Sequence, residues 1–403
     1  MAIAAQELSP PAFKRGWLTR IRTLFFRNWT DTLMTLASVA FVVLLLLPVL
    51  RWMATTARWD VLAPNLAILL RGRYEAEAAW RIWVCLGLLA GVAGMAAGAW
   101  SGKFTTGFGT ILALPLLMTL IPVFDTNIRL GLVAMSVLIG CGFAIGTLGP
   151  QAYMGNITVA LLVVVMPLGL ALLYGFGQTG PLQVTPPKVW GGLLLSLILA
   201  STGIVFSYPL GVILALGRRS KLPVVKTLSV VYIEFVRGVP LIALLFMAVV
   251  MLELFVPNRF PTIEGIVRVA VAITLFSAAY MAENVRAGLA TVPAGQVEAT
   301  WALGLNSVQT MVFVVLPQAL KAIIPVTVNQ FISLFKDTTL VALVGMLDLV
   351  GMGRAVLSNP AWLGTHKEIY FFIGALFWLL NYSMSYGSRK LEQRLHTGIE
   401  SRA

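Results

Sequence analysis

The stretch EATWALGLNSVQTMVFVVLPQAL, residues 298–320, decides how this chain is read. It opens on a carboxylate, Glu298, passes Gly304 and closes on Leu316-Pro317 inside an apolar run. Upstream, Pro293 stands where a helix can begin, helix formers follow it, and Gly304 can supply a left-handed cap. That predicts a free helix of about ten residues, where a span needs about 20. Gln296 and Glu298 make it too polar to lie in lipid. Leu316-Pro317 then marks a bend as the chain re-enters the bilayer, because proline removes an intrahelical hydrogen bond. A short rigid helix held between two spans is suited to be gripped by another protein, and movement imposed on it reaches both spans. An ordinary loop helix is the plainer reading.

Composition sets the surroundings of this stretch. The 403 residues are 59% hydrophobic and 11% charged, with a mean hydropathy of +0.89. Soluble domains carry about 25% charged residues, so this chain is an integral membrane protein. Its formal net charge of +13 does not indicate nucleic acid, because the basic residues sit beside apolar runs rather than in a stripe with aromatics. Cys85 and Cys141 lie in uncharged runs and read as buried, inert thiols. With His366 and His396 far apart, neither a disulfide framework nor a metal site is indicated. Trp80, Trp100, Trp190, Trp362 and Trp378 fall near expected span ends, where indoles anchor at the interface.

The expected fold is all-α and polytopic, with about ten transmembrane helices. Runs at 32–50, 82–101 and 104–124 each suit one span, and the uncharged stretch 130–187 suits two. Five more are expected at 189–216, 228–255, 266–287, 318–340 and 368–388. Lys14, Arg15, Arg20, Arg22 and Arg27 precede the first run at a length unlike a cleavable signal. This arm, GRRSK (217–221) and the basic tail fall on one side, which the positive-inside rule makes cytoplasmic, with both termini there. Arg51, Arg58, Arg71, Arg73 and Arg81 fall on the other side. Either an amphipathic helix near 60–70 lies on the surface with arginines reaching headgroups, or a span is miscounted. A composition shift at PLQVTPPK (181–188) divides an N-terminal arm with extra helices, 1–187, from a core at 188–395 and a tail at 396–403.

The core carries charges within its apolar runs, and such groups face a cavity or one another. Glu234 and Arg237 are three residues apart, as are Glu283 and Arg286, so each pair can neutralise along one helix face. An α-amino acid presents a carboxylate and an ammonium. Arg237 with Lys336 suits the first, and Glu283 with Asp337 the second. Support of helix packing or of the nearby loop is the alternative role.

Glu298-Ala299, Gly304, nine intervening residues and Val314-x-Leu316-Pro317 resemble the EAA loop of ABC transporter permeases, with Thr300 and Val314 as mild departures. YIEFVRGVPLI (232–242), AAYMAENVRAGL (278–289) and FISLFKDTTL (331–340) resemble segments of the polar amino-acid uptake permeases in order and spacing. The N-terminal extension is similar to the larger permease subunit of general L-amino-acid importers. The resemblance implies a five-helix type I importer core in the bacterial cytoplasmic membrane. Its coupling loop, with Glu298, Ala299, Gly304, Leu316 and Pro317, would dock on a cytoplasmic ATPase. It also implies a second permease subunit, a periplasmic amino-acid-binding protein, and ATP and Mg held by the ATPase rather than by this chain. AGAWSGKF (97–104) fails the phosphate-loop pattern at Ala97 and Phe104, in keeping with that. An ion-coupled secondary transporter is the rival reading, and it leaves the EAA-like loop unexplained.

Overall fold

A computed structural model describes residues 25–101, 106–120, 126–255 and 263–400. The basic residues at 14–22, Phe104, Arg402 and the side chains at 390–400 lie outside the described residues. Two compact units are present, residues 1–58 and 59–403. In the first, helix α1 (Trp29–Thr55) has no buried residue. Its leucines and valines are satisfied only in a lipid environment, where all backbone groups must bond within the helix.

The second unit contains α2 (Leu62–Arg71), α3 (Trp80–Ser101), α4 (Thr106–Met118), α5 (Thr126–Leu148) and α6 (Gln151–Tyr174). It continues with α7 (Gly192–Arg218), α8 (Pro223–Gly238), α9 (Leu241–Phe255), α10 (Gly265–Thr291), α11 (Ala294–Ala302), α12 (Leu316–Asp337), α13 (Leu349–Leu357) and α14 (His366–Glu400). Among the described residues, eight helical stretches are long and apolar enough to cross a membrane, or nine if α8 and α9 form one bent span. The run expected at 104–124 is described only as the 13 residues of α4.

The span expected at 228–255 is not straight. It turns by 104° between α8 and α9. The sequence GVP explains the turn: Val239 precedes proline and is pushed to extended backbone, φ −100° and ψ 133°. Leu316-Pro317, in contrast, does not break its helix. A π-helical segment, Thr310–Val315, leads into Pro317, and Ser307–Val344 runs on as one stretch of 38 residues.

Lipid tails give little hydrophobic drive to helix association, so close backbone approach has to do it. Glycines provide this between α3 and α5. A Cβ at Gly142 would fall on the Gly91 carbonyl oxygen, and one at Gly94 on the Ile139 carbonyl oxygen. In the core, α7 is the centrepiece, packed chiefly against α10 and also against α2, α8, α12 and α13. Leu195, Leu199, Val269 and Ile273 are fully enclosed there.

Within the Arg-rich segment, α2 and Arg81 depart from the expected role. Helix α2 is amphipathic, but Leu62, Leu66 and Leu69 face protein, packed toward α7 and α13. Arg81 does not reach headgroups: it is 1% exposed and donates to the carbonyls of Pro181 and Gln183 at 2.8 Å, with Thr185 Oγ1 at 3.4 Å. Three oxygen dipoles stand in for a carboxylate and hold the 175–185 loop against α3. Arg81→Met should therefore leave those carbonyls unsatisfied and cost about 3 kcal/mol. A lowered thermal midpoint and new proteolysis near residue 180 would record it; an unchanged midpoint would reject the clamp.

Two further expectations change. Trp190 is a core residue, 6% exposed with its indole N–H on the Thr185 carbonyl, not an interfacial anchor. Cys141 is exposed on α5, whereas Cys85 is half-buried.

Candidate functional site

The connector between α10 and α12 forms as its sequence dictates. Pro293 is the N-cap of α11, and Gly304 lies past its end at φ +76°. The Gly304 N–H bonds the Trp301 carbonyl and the Leu305 N–H bonds the Thr300 carbonyl, which closes a Schellman cap. Asn306 starts the next turn with a reciprocal capping box to Gln309. Glu298 and Ala299 are exposed, as are Trp301 at 59% and Leu303 at 80%. Thr300 alone of α11 is buried, and its hydroxyl meets that of Thr310 at 2.9 Å. The departure from the EAA pattern at this position thus ties α11 to the π-helical segment.

A charge cluster stands above the connector on α7, α8 and α10. Glu283 is its hub. Arg286 Nε donates to Glu283 Oε1 at 2.6 Å, while Arg218 and Arg237 approach Oε2 at 3.4 and 3.7 Å. The expected Glu283–Arg286 pair therefore exists. Glu234 and Arg237 do not neutralise each other: Glu234 pairs with Arg218 at 2.9 Å, and Arg237 turns to Glu283 and the Tyr280 ring, 5.5 Å from its centroid. Arg218 is the member that sequence reading missed. It lies in a basic run, GRRSK, that reads as a topology signal.

Tyr280 also borders a cavity of about 440 Å³ between α10 and α12. Ser277, Tyr280 and Asn284 line it at helical spacing from one side, and Asn329, Ser333 and Asp337 from the other. Gln330 joins the two helices, donating to the Ser277 carbonyl at 2.9 Å and accepting from Asn284. Asp337 is the one carboxylate among the lining residues, and Lys336 is absent from them. Lys336 lines a separate cleft near α13 and α14, so the structure does not bring Arg237 and Lys336 together as a pair. Arg237, Glu283 and Glu234 belong to the cluster; Asp337 belongs to the cavity; Tyr280 touches both.

Residues 207–397 match the family described as binding-protein-dependent transport system inner membrane component. The probable glutamine ABC transporter permease protein GlnP of Bacillus subtilis (strain 168) is 32% identical over 206 residues, 51% of this chain and 93% of that protein. The chain belongs to this family. This inner membrane component is also similar to the inner membrane amino-acid ABC transporter permease protein YhdY of Escherichia coli (strain K12), 47% identical over 55% of this chain and 60% of that one. The glutamate/glutamine/aspartate/asparagine transport system permease protein BztC of Rhodobacter capsulatus is 52% identical over 51% of the chain and 48% of its own length. The matched region thus spans about half to three fifths of these two relatives. The family is one of transporter membrane components, not a catalytic one.

Proposed function

We propose that this chain is the membrane-spanning permease subunit of an ATP-driven ABC importer that carries amino acids across the bacterial cytoplasmic membrane. The observation that carries the reading is the connector. A capped, exposed helix joins α10, which holds the hub Glu283 and one wall of the polar cavity, to α12, which holds the other wall. The names of the similar proteins, all amino-acid or glutamine permeases, support amino acids as cargo. In this reading a cytoplasmic ATPase subunit binds ATP and Mg and grips α11 through Glu298, Ala299, Trp301 and Leu303, while this chain holds no cofactor. Leu316 and Pro317 begin the span that the connector moves. A second, related permease subunit and a periplasmic amino-acid-binding protein complete the importer, with both termini cytoplasmic.

Within the cavity, Asp337 suits the substrate ammonium, and Asn329 and Asn284 suit its carboxylate or polar side chain. Arg237, over Tyr280, supplies the cation at the cavity edge, held there by Glu283. We assign residues 1–187 to the N-terminal arm with its extra helices, 188–395 to the transport core and 396–403 to the tail.

Pull-down of the detergent-solubilised chain from its native membrane tests this reading, with Glu298→Lys as comparison. An ATPase subunit should accompany the wild type, and its recovery should fall about ten-fold in the variant, a change of roughly 1.4 kcal/mol. Failure to recover an ATPase with either chain, together with uptake abolished by an uncoupler, would turn the reading toward a secondary transporter.

A further inference from the structure

The cleft that receives Lys336 is not explained by amino-acid passage. It has a volume of about 490 Å³ and lies between the end of α12, helix α13 and the first turns of α14. Lys336, Arg354, Thr339 and Tyr370 form its polar part, and Ile373 and Phe377 form part of an apolar wall. Both cations are exposed, and neither takes part in the ion pairs among the described residues. Asp337 and Asp348 lie within electrostatic reach of Lys336 and Arg354 respectively, but neither forms a salt bridge with its cation. Asp337 lines the other cavity, and Asp348 is fully buried as the N-cap of α13, accepting from the Gly351 N–H at 2.9 Å.

Position along the helices adds a second constraint. The 22 residues of α12 rise about 33 Å away from the connector. Lys336 is one residue from the end of α12 that is remote from the connector. From Tyr370 to Phe377 the wall of the cleft extends about 10 Å along α14, from the polar end of the cleft to an apolar one. Two exposed cations outside any salt bridge, beside an apolar wall, are complementary to an anionic amphiphile.

We propose that this cleft binds the headgroup of an anionic phospholipid, with Lys336 and Arg354 on the phosphate and one acyl chain along Ile373 and Phe377. The lipid bridges α12, α13 and α14, the elements that close this end of the core. The site is independent of which solute the chain carries.

Native mass spectrometry of the full, delipidated chain tests the proposal, with dioleoyl-phosphatidylglycerol and dioleoyl-phosphatidylcholine added separately. The wild type should retain the glycerol lipid in preference. Lys336→Gln with Arg354→Gln should lower that retention about ten-fold or more, with the choline lipid unaffected. The charge-conserving pair Lys336→Arg with Arg354→Lys should restore it, which separates loss of charge from loss of fold. Equal retention of phosphatidylglycerol by wild type and the double Gln variant would overturn the proposal. So would displacement of the lipid by equimolar sn-glycerol 1-phosphate, since the cleft would then read a free anion rather than a lipid.

Discussion

Gly304→Pro is expected to abolish transport while leaving the spans inserted. Gly304 sits at φ +76°, and its N–H closes the cap on the Trp301 carbonyl. Proline fixes φ near −65° and has no N–H, so it can satisfy neither requirement. The last turn of α11 should unwind, and with it the exposed face that carries Trp301 and Leu303. A Cβ at this position meets nothing within 4 Å, so Gly304→Ala suffers backbone strain alone, about 1 kcal/mol. The pair of variants therefore separates cap geometry from crowding. Uptake into vesicles, ATP hydrolysis and recovery of the ATPase should collapse together in the proline variant and survive in the alanine variant. Coupled uptake by a well-inserted Gly304→Pro chain would remove the connector from the mechanism.

Glu283→Gln carries the second large effect. Glu283 accepts from Arg286 and faces Arg218 and Arg237, and its side chain is only 21% exposed. Charge-assisted hydrogen bonds contribute roughly 1.5–3 kcal/mol each, more than neutral ones. Neutralising the hub leaves three guanidinium groups facing one carboxylate, Glu234. Arg237 is then expected to leave the Tyr280 ring, and transport should drop at least about ten-fold. Arg237→Ala alone should impair uptake more than ATPase assembly. In the Glu283→Gln background it should add little, because the two residues act as one unit. Multiplying losses in the double variant would show instead that Arg237 works independently of Glu283.

What could be read in advance follows the range over which each signal acts. The connector was legible because Pro293 and Gly304 are local signals, each acting within a turn of its own position; the Asn306–Gln309 box is equally local but went unread. Membrane class and most spans were legible because a bilayer imposes length and apolarity on each segment separately. Arg81 was not, since its carbonyl partners lie about a hundred residues away and carbonyls have no sequence signature. Arg218 escaped for a similar reason, its two carboxylate partners lying on other helices. The bend at GVP could have been anticipated from proline's effect on the residue before it.

Lys336 and Asp337 carry a different lesson. Adjacent residues on a helix point about 100° apart, so a shared cavity was the less favourable expectation, and the two open onto different spaces. The polar faces at 277, 280, 284 and 329, 333, 337 were present as helical spacing but are uncharged except at Asp337. A search led by ionisable groups passes over them.

The π-helical segment Thr310–Val315 has a consequence for heredity as well as for mechanics. A π turn holds one more residue than the α-helix it interrupts, and that residue fixes the rotation of everything after it. Loss of a single codon from this segment would let it relax to α-helix and turn α12 by about 100° about its axis. Asn329, Ser333 and Asp337 would swing out of the cavity although none of them had changed. Exposed positions such as Val312 and Phe313 are open to drift; buried Thr310 and Val315 are not, and neither is the number of residues.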